Sequence, residues 1–173
     1  MNKNLCEMED LKYYIVRFVI HNKDYYTIWF TSDEDGFISD ENNLNLVNFE
    51  TVDAVKLFAK QNNIVLVDEV TEILCDKIME INLYSGIDCD SVLTFWNIIT
   101  DVASTLNKKF LGDVRNEDIN DLYNKLFCGC NLPAIKGDAE DFVPSWVVEE
   151  RKLLLKIVND GLNILMNALN IQV

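Results

Sequence analysis

Hydrophobic residues in this chain change period partway along, and that change limits the possible folds more than any other feature. Early on, apolar side chains alternate. From Lys12 to His21, Tyr14, Val16, Phe18 and Ile20 share one face, while Tyr13, Ile15 and Val19 share the other with Arg17 and His21. Asn22-Lys23-Asp24 reads as a turn. Tyr25 to Ser32 reads as a second strand in which Tyr26, Ile28 and Phe30 alternate, so the two strands form an antiparallel hairpin. Asp33 to Gly36 is a second turn, and the Asn-rich stretch from Phe37 to Phe49 is loop with room for a short strand. Thr51 is placed to cap a short helix with Asp53 in its first turn and Ala54, Val55 and Phe58 on one face. Asn63 to Asp68 is too short and too β-branched for a helix and predicts a buried strand. Val70 to Ile81 suits either a helix or a continuation of that strand.

From Asp90 onward the period is helical. Asp90 is the expected cap of a segment whose Val92, Phe95, Trp96, Ile99, Val102, Ala103 and Leu106 form one stripe. Asn116 opens the next helix, with Glu117 and Asp118 in its first turn and Ile119, Leu122, Tyr123 and Leu126 on one side. After Gly129, Cys130 to Val143 reads as loop. A long helix then starts at Pro144-Ser145, with Glu149 and Glu150 early and a wide apolar face from Leu153 to Leu169. Strands first and helices last predict an α+β domain: an N-terminal antiparallel hairpin and small antiparallel or mixed sheet, with C-terminal helices packed on one face. At 173 residues the expectation is a single domain, 1–173, strand-rich over 1–68 and helical over 69–173. Hydrophobic residues make up 49%, enough for a full core.

Charge is unevenly placed. Lys and Arg number 15 against 29 Asp and Glu, a net charge of −14. The 32 residues from Asp24 to Val55 contain no Lys or Arg but eight acids: Asp24, Asp33, Glu34, Asp35, Asp40, Glu41, Glu50 and Asp53. Such a balance argues against binding nucleic acid or anionic membrane surfaces and favours basic protein partners, whose approach it would speed. A solvated, solubilising face is the simpler use of the same residues. The first ten residues lack an apolar core, so no signal peptide is expected, and no apolar run is long enough to span a bilayer. Five cysteines and no secretory context fit reduced thiols in a cytoplasm.

Chemistry is sparse. Cys128-Gly-Cys130 has the wrong spacing for a zinc or redox pair. His21, the single histidine, is expected to serve the turn beside it. The six glycines are never closer than eight residues apart, which excludes a phosphate-binding loop. Aligning Gly36 with the glycine of an EF-hand puts Thr31 and Asn42 where two essential acids belong. Paired carboxylates are inevitable with 29 acids and carry no specificity. The expectation is a non-enzymatic chain without metal or cofactor. Trp96 belongs to the core stripe. Tyr25 and Trp29 share a strand face whose environment is open: it is either free, so that both aromatics flank the acidic turn as anchors, or a second core layer under helices.

Three segments together, LTFWNIITDVASTL (93–106), LYNKLFCGCNLPAI (122–135) and EDFVPSWVVEERKLLLKIVNDGLNIL (140–165), resemble the immunity proteins of bacterial contact-dependent growth inhibition systems, the CdiI type. The resemblance implies a cytoplasmic inhibitor that binds the C-terminal domain of its cognate toxin in a tight stoichiometric complex. Such toxins are frequently nucleases with basic surfaces, which the acidic window would suit. The expected contacts are Asp33, Glu34, Asp35, Asp40 and Glu41, with Tyr25 and Trp29 as anchors. Asn131, Pro133, Trp146 and Glu150, within the familiar segments, read as structural. An acidic adaptor or chaperone-like module for basic proteins is the competing expectation, and the oligomeric state is open.

Overall fold

A computed structural model describes residues 11–40, 42 and 44–171; Cys6 and the rest of the first ten residues, as well as Glu41, lie outside them. Strand β1 (Lys12–Ile20) pairs antiparallel with β2 (Lys23–Thr31), and Ile20 faces Lys23. The turn is therefore His21-Asn22, one residue earlier than the sequence suggested. Both residues have positive φ, 52° and 57°. A two-residue hairpin needs that conformation to match strand twist, and it normally recruits glycine. Here the strain is offset from a distance: the backbone N–H groups of His21 and Asn22 donate to the two carboxylate oxygens of Asp76, at 2.6 and 2.9 Å.

The sheet is mixed, in the order β3-β2-β1-β5. Strand β3 (Gly36–Phe37) and β4 (Asn48–Phe49) share the outer edge of β2, and β5 (Leu66–Leu74) runs parallel to β1. Residues 70–74, which suited helix or strand, extend the strand. One turn of helix, α2 (Cys75–Met79), follows, and the strand-rich part ends at Leu74 and not at residue 68. Tyr13 faces Leu66 while Ile15 faces Val70, so β5 holds extra residues there. Asp68 and Glu69 are exposed on that bulge, and a bulged, charged edge resists pairing with other chains.

Helices cover both sheet faces. Val16, Phe18 and Ile20 join the large core made with α3 (Cys89–Thr105), α4 (Glu117–Gly129) and α6 (Val148–Ala168). Ile15 and Ile28, on the other face, pack with Val55 of α1 (Val52–Gln61). The C-terminal helices thus occupy one face, as expected, and the lone α1 the other.

Thr51 and Asn116 cap α1 and α4 as their side chains predict, accepting from Ala54 and Ile119 N–H at 3.2 and 2.9 Å. Helix α3 starts earlier than expected: Asp88, not Asp90, is its cap, accepting from the N–H and hydroxyl of Ser91 at 3.3 and 2.7 Å. Helix α6 starts later, at Val148, where the Glu150 carboxylate accepts from Val147 N–H at 2.9 Å and from the Lys125 ammonium at 2.5 Å. The loop before it contains a short helix, α5 (Pro133–Lys136), opened by Pro133. Helices α3 and α6 meet at Gly161, where a Cβ would approach Phe95, Ile99 and Phe110 at 3.1–3.3 Å. No described helix is long and apolar enough to cross a membrane.

Replacing Asp76 with Ala strips both acceptors from the hairpin tip and is expected to destabilise the fold by about 1–2 kcal/mol. The expected readout is a lower urea midpoint at unchanged slope; an unmoved midpoint would mean that His21 and Asn22 hold their conformation unaided.

Candidate partner-binding site

The acidic turn is a rigid corner. Ser32 ties it internally: its hydroxyl donates to the Glu34 carbonyl at 2.8 Å, and its N–H donates to an Asp35 carboxylate oxygen at 3.3 Å. Immediately afterwards, Phe37 N–H donates to the Thr105 hydroxyl oxygen at the end of α3, at 3.0 Å. Asp33, Glu34 and Asp35 are thereby exposed to solvent on a fixed turn beside α3.

Beside that corner, the Trp29 indole donates through Nε1 to a carboxylate oxygen of Asp101 at 2.8 Å, joining β2 to α3. Trp29 and Tyr25 are half-buried and pack against the main core, and the Trp29 ring lies 5.5 Å from that of Tyr14. Of the two arrangements open for this face, the covered one is observed: Trp29 spends its polar handle within the chain, positioning Asp101. Burial raises the pKa of Asp101 above the ordinary carboxylate value. Trp29 opposes that rise, and the neighbouring carboxylates of Asp35 and Asp113 add to it. Asp113 is itself held by the Thr100 hydroxyl, which donates to it at 2.6 Å.

From Asp113 a groove of about 660 Å³ opens between α3, the 3-10 turn Leu111–Asp113 and α4. Trp96 and Tyr123 lie along it with ring centroids 5.5 Å apart, and the Tyr123 hydroxyl donates to Asn97 Oδ1 at 2.9 Å. Asn97, Asn120, Asn124 and Arg115 supply polar groups along its walls. Asp101 is thus the electrostatic neighbour both of Asp35 in the corner and of Asp113 on the groove wall, an arrangement able to receive cationic and hydrogen-bonding side chains.

The remaining expected contacts fall elsewhere. Asp40 accepts from Leu44 N–H at 2.8 Å and from the Asn45 amide at 3.0 Å. The Leu44 bond is the main reason its pKa is lowered, so Asp40 closes its own loop. Glu41 lies outside the described residues. Asp101 and Asp113 escaped sequence reasoning, because nothing local separates a helix-surface aspartate from one that receives an indole 72 residues distant.

Other chemistry is scarce. Among the described residues, no group of three or more His, Cys, Asp or Glu is placed to hold a metal ion. Cys75, Cys89, Cys128 and Cys130 are free thiols. Burial pushes Cys75 up to about 12 and also raises Cys89 and Cys130, so these three are not activated nucleophiles.

Because the folded-state pKa of Asp101 is raised, its ionised form opposes folding above that pKa, and the opposition fades as the pH falls and the carboxyl takes up a proton. Asp101→Asn keeps an oxygen acceptor for Trp29 and removes the charge. Thermal unfolding should show the variant a few degrees more stable near about pH 7, with the gain shrinking toward about pH 4. Equal melting temperatures at both would show that Asp101 carries no penalised charge.

Compared with known proteins, the chain matches no protein-family model, no curated protein and no solved structure.

Proposed function

We propose that this chain is a cytoplasmic immunity protein that neutralises a cognate contact-dependent growth inhibition toxin domain, a basic nuclease, by forming a tight stoichiometric complex. One observation carries the reading: Asp33, Glu34 and Asp35 are exposed on a hydrogen-bonded turn near Asp101, which in turn neighbours Asp113 at the mouth of a polar groove, where Arg115 is the one cation among the described lining residues. The resemblance of the three C-terminal segments supports the family, and the acidic corner supports the electrostatic part of the reading. A nuclease must present basic surface to phosphate, and an acidic face of fixed geometry competes for that surface. Inhibition needs no catalysis by this chain. Occupancy of the toxin by a rigid, oppositely charged surface is sufficient, whether it fills the substrate groove or obstructs it from one side.

Coexpression of the chain with the toxin domain encoded immediately upstream, followed by purification in about 0.5 M salt, tests the reading, since exposed pairs are largely screened there. Survival with a one-to-one complex supports it. Cell death without a complex overturns it, and equal, salt-sensitive capture of unrelated basic proteins would favour the acidic adaptor. Within the complex, reversing charge at Asp33, Glu34 and Asp35 to Lys is expected to slow association by about tenfold or more at low ionic strength. An unchanged association rate would remove the corner from the interface.

A further inference from the structure

We propose that the loop 131–142 and the last turn of α4 form a docking groove for a cationic amphipathic segment of a partner protein. The inference concerns a surface separate from the acidic corner and stands whether or not the immunity reading does.

The loop is firmly built. Asn131, at φ 50°, donates through its amide to the carbonyls of Gly129 and Phe142 at 3.1 and 3.0 Å, and its Oδ1 accepts from Phe142 N–H at 2.7 Å. One side chain thus closes both ends of the excursion, as a paired strand would. Lys136 is ion-paired with Asp141 inside it. Compact loops of this closed kind are frequently functional.

What this framework holds outward is apolar. Leu132 is 38% exposed, Ile135 65%, Phe142 46% and the adjoining Val143 84%. Leu132, Ile135 and Phe142 join Phe127 of α4 in lining a groove of about 210 Å³. A contiguous exposed apolar patch with a polar rim marks an interaction surface.

Charge selects the occupant. The loop carries Asp138, Glu140 and Asp141 against the single Lys136, which Asp141 already engages. Lys136 and Glu140 both line the groove; Lys136 is already neutralised by Asp141, and among the described residues neither Glu140 nor Asp138 is ion-paired. The loop's excess of acids repels an anionic membrane. It also repels a second copy, which would bring the same acids and a net charge of −14. A helix with Leu-like side chains on one face and Lys or Arg at its margins satisfies both parts, filling the groove and meeting Glu140 on its wall and the excess acid of the loop around it.

The probe is a synthetic peptide of about 18 residues, leucine on one helical face and lysine on the other, with a counterpart carrying glutamate for lysine. Titrated into the isotopically labelled full chain at about 0.15 M salt, the lysine peptide should move amide signals of Leu132, Ile135 and Phe142. Ile135→Asp and Leu132→Asp should each weaken its binding by about tenfold or more. Both side chains are exposed enough for these variants to fold, and lysines at Asp33, Glu34 and Asp35 should leave binding at the loop in place. The proposal is overturned by signals moving only at the acidic corner, by equal binding of the glutamate peptide, or by full affinity in both loop variants. Loop signals that depend on protein concentration without peptide would assign the groove to a second copy and overturn it equally.

Discussion

Helix α3 is the one element on which the rest of the fold leans, because it packs against the sheet on one side and against α4 and α6 on the other. Eight of its residues are buried, Phe95, Trp96 and Ile99 among them. Burying each of these large side chains contributes on the order of 1.5–3 kcal/mol. A helix wedged this way has little freedom to rotate, so whatever it carries on its remaining edge is fixed in space. That edge carries Asp101 and Thr105, the two residues that receive Trp29 and Phe37. Further along, Leu46 N–H donates to the Ala168 carbonyl at the end of α6, at 2.9 Å. The acidic window is therefore stitched to the helical layer at three points, although it contains no cation of its own.

A net charge of −14 works against compaction, and the chain spends its few cations sparingly. Arg17 pairs with Asp24 at 2.9 Å on β2 and also with Glu72 on β5, so one guanidinium bridges three strands. Its Nε is buried without a partner, a cost of holding the other nitrogens in that geometry. Lys125 holds Glu150 at 2.5 Å and lies over the Trp146 ring at 5.3 Å. Burial works against ionisation of Glu150, but the bonds from Lys125 and Val147 N–H prevail and lower its pKa. None of these cations serves the β2–β3 corner. Asp101 remains repelled there by the carboxylates of Asp35 and Asp113. Such a residue works against folding, and under the proposed reading a basic partner would supply the counter-charge.

Features set by neighbours along the chain were legible from sequence. The alternation of Tyr14, Val16, Phe18 and Ile20, the stripe from Val92 to Leu106, and the caps Thr51 and Asn116 all express local geometry. Errors arose where the deciding partner is remote or where two local solutions compete. Asp88 and Asp90 both suit a cap, and Ser91 decides by giving Asp88 two donors. The extension of β5 to Leu74 depends on pairing with β1, and the early turn at His21 depends on Asp76. Within the site, the exposed turn Asp33 to Asp35 could be read directly. The surroundings of Tyr25 and Trp29 could not, because which face the C-terminal helices cover is settled by long-range packing.

Charge at an exposed corner attracts any basic surface, so it speeds encounter more than it discriminates between partners. Discrimination requires groups that suffer when the wrong partner arrives. Under the proposed reading, the groove that opens from Asp113 would hold such groups. Asn120 and Asn124 each offer an amide that must find partners once water is displaced, and Asn97, whose Oδ1 already accepts from Tyr123, offers its NH2 donors. An amide left unsatisfied in a closed interface costs about 1–3 kcal/mol, so a partner mismatched at several of these groups would lose more than a steering charge contributes. Under the proposed reading, attraction at the corner and selection in the groove would be separable physical tasks. The first tolerates drift in exact position, because Coulomb forces act over about 8 Å at physiological salt. The second does not, because a hydrogen bond is lost within a fraction of an ångström. Under the proposed reading, that difference would account for the division of the surface: the acids are on a turn, while the asparagines are on α3 and α4, which pack into the core.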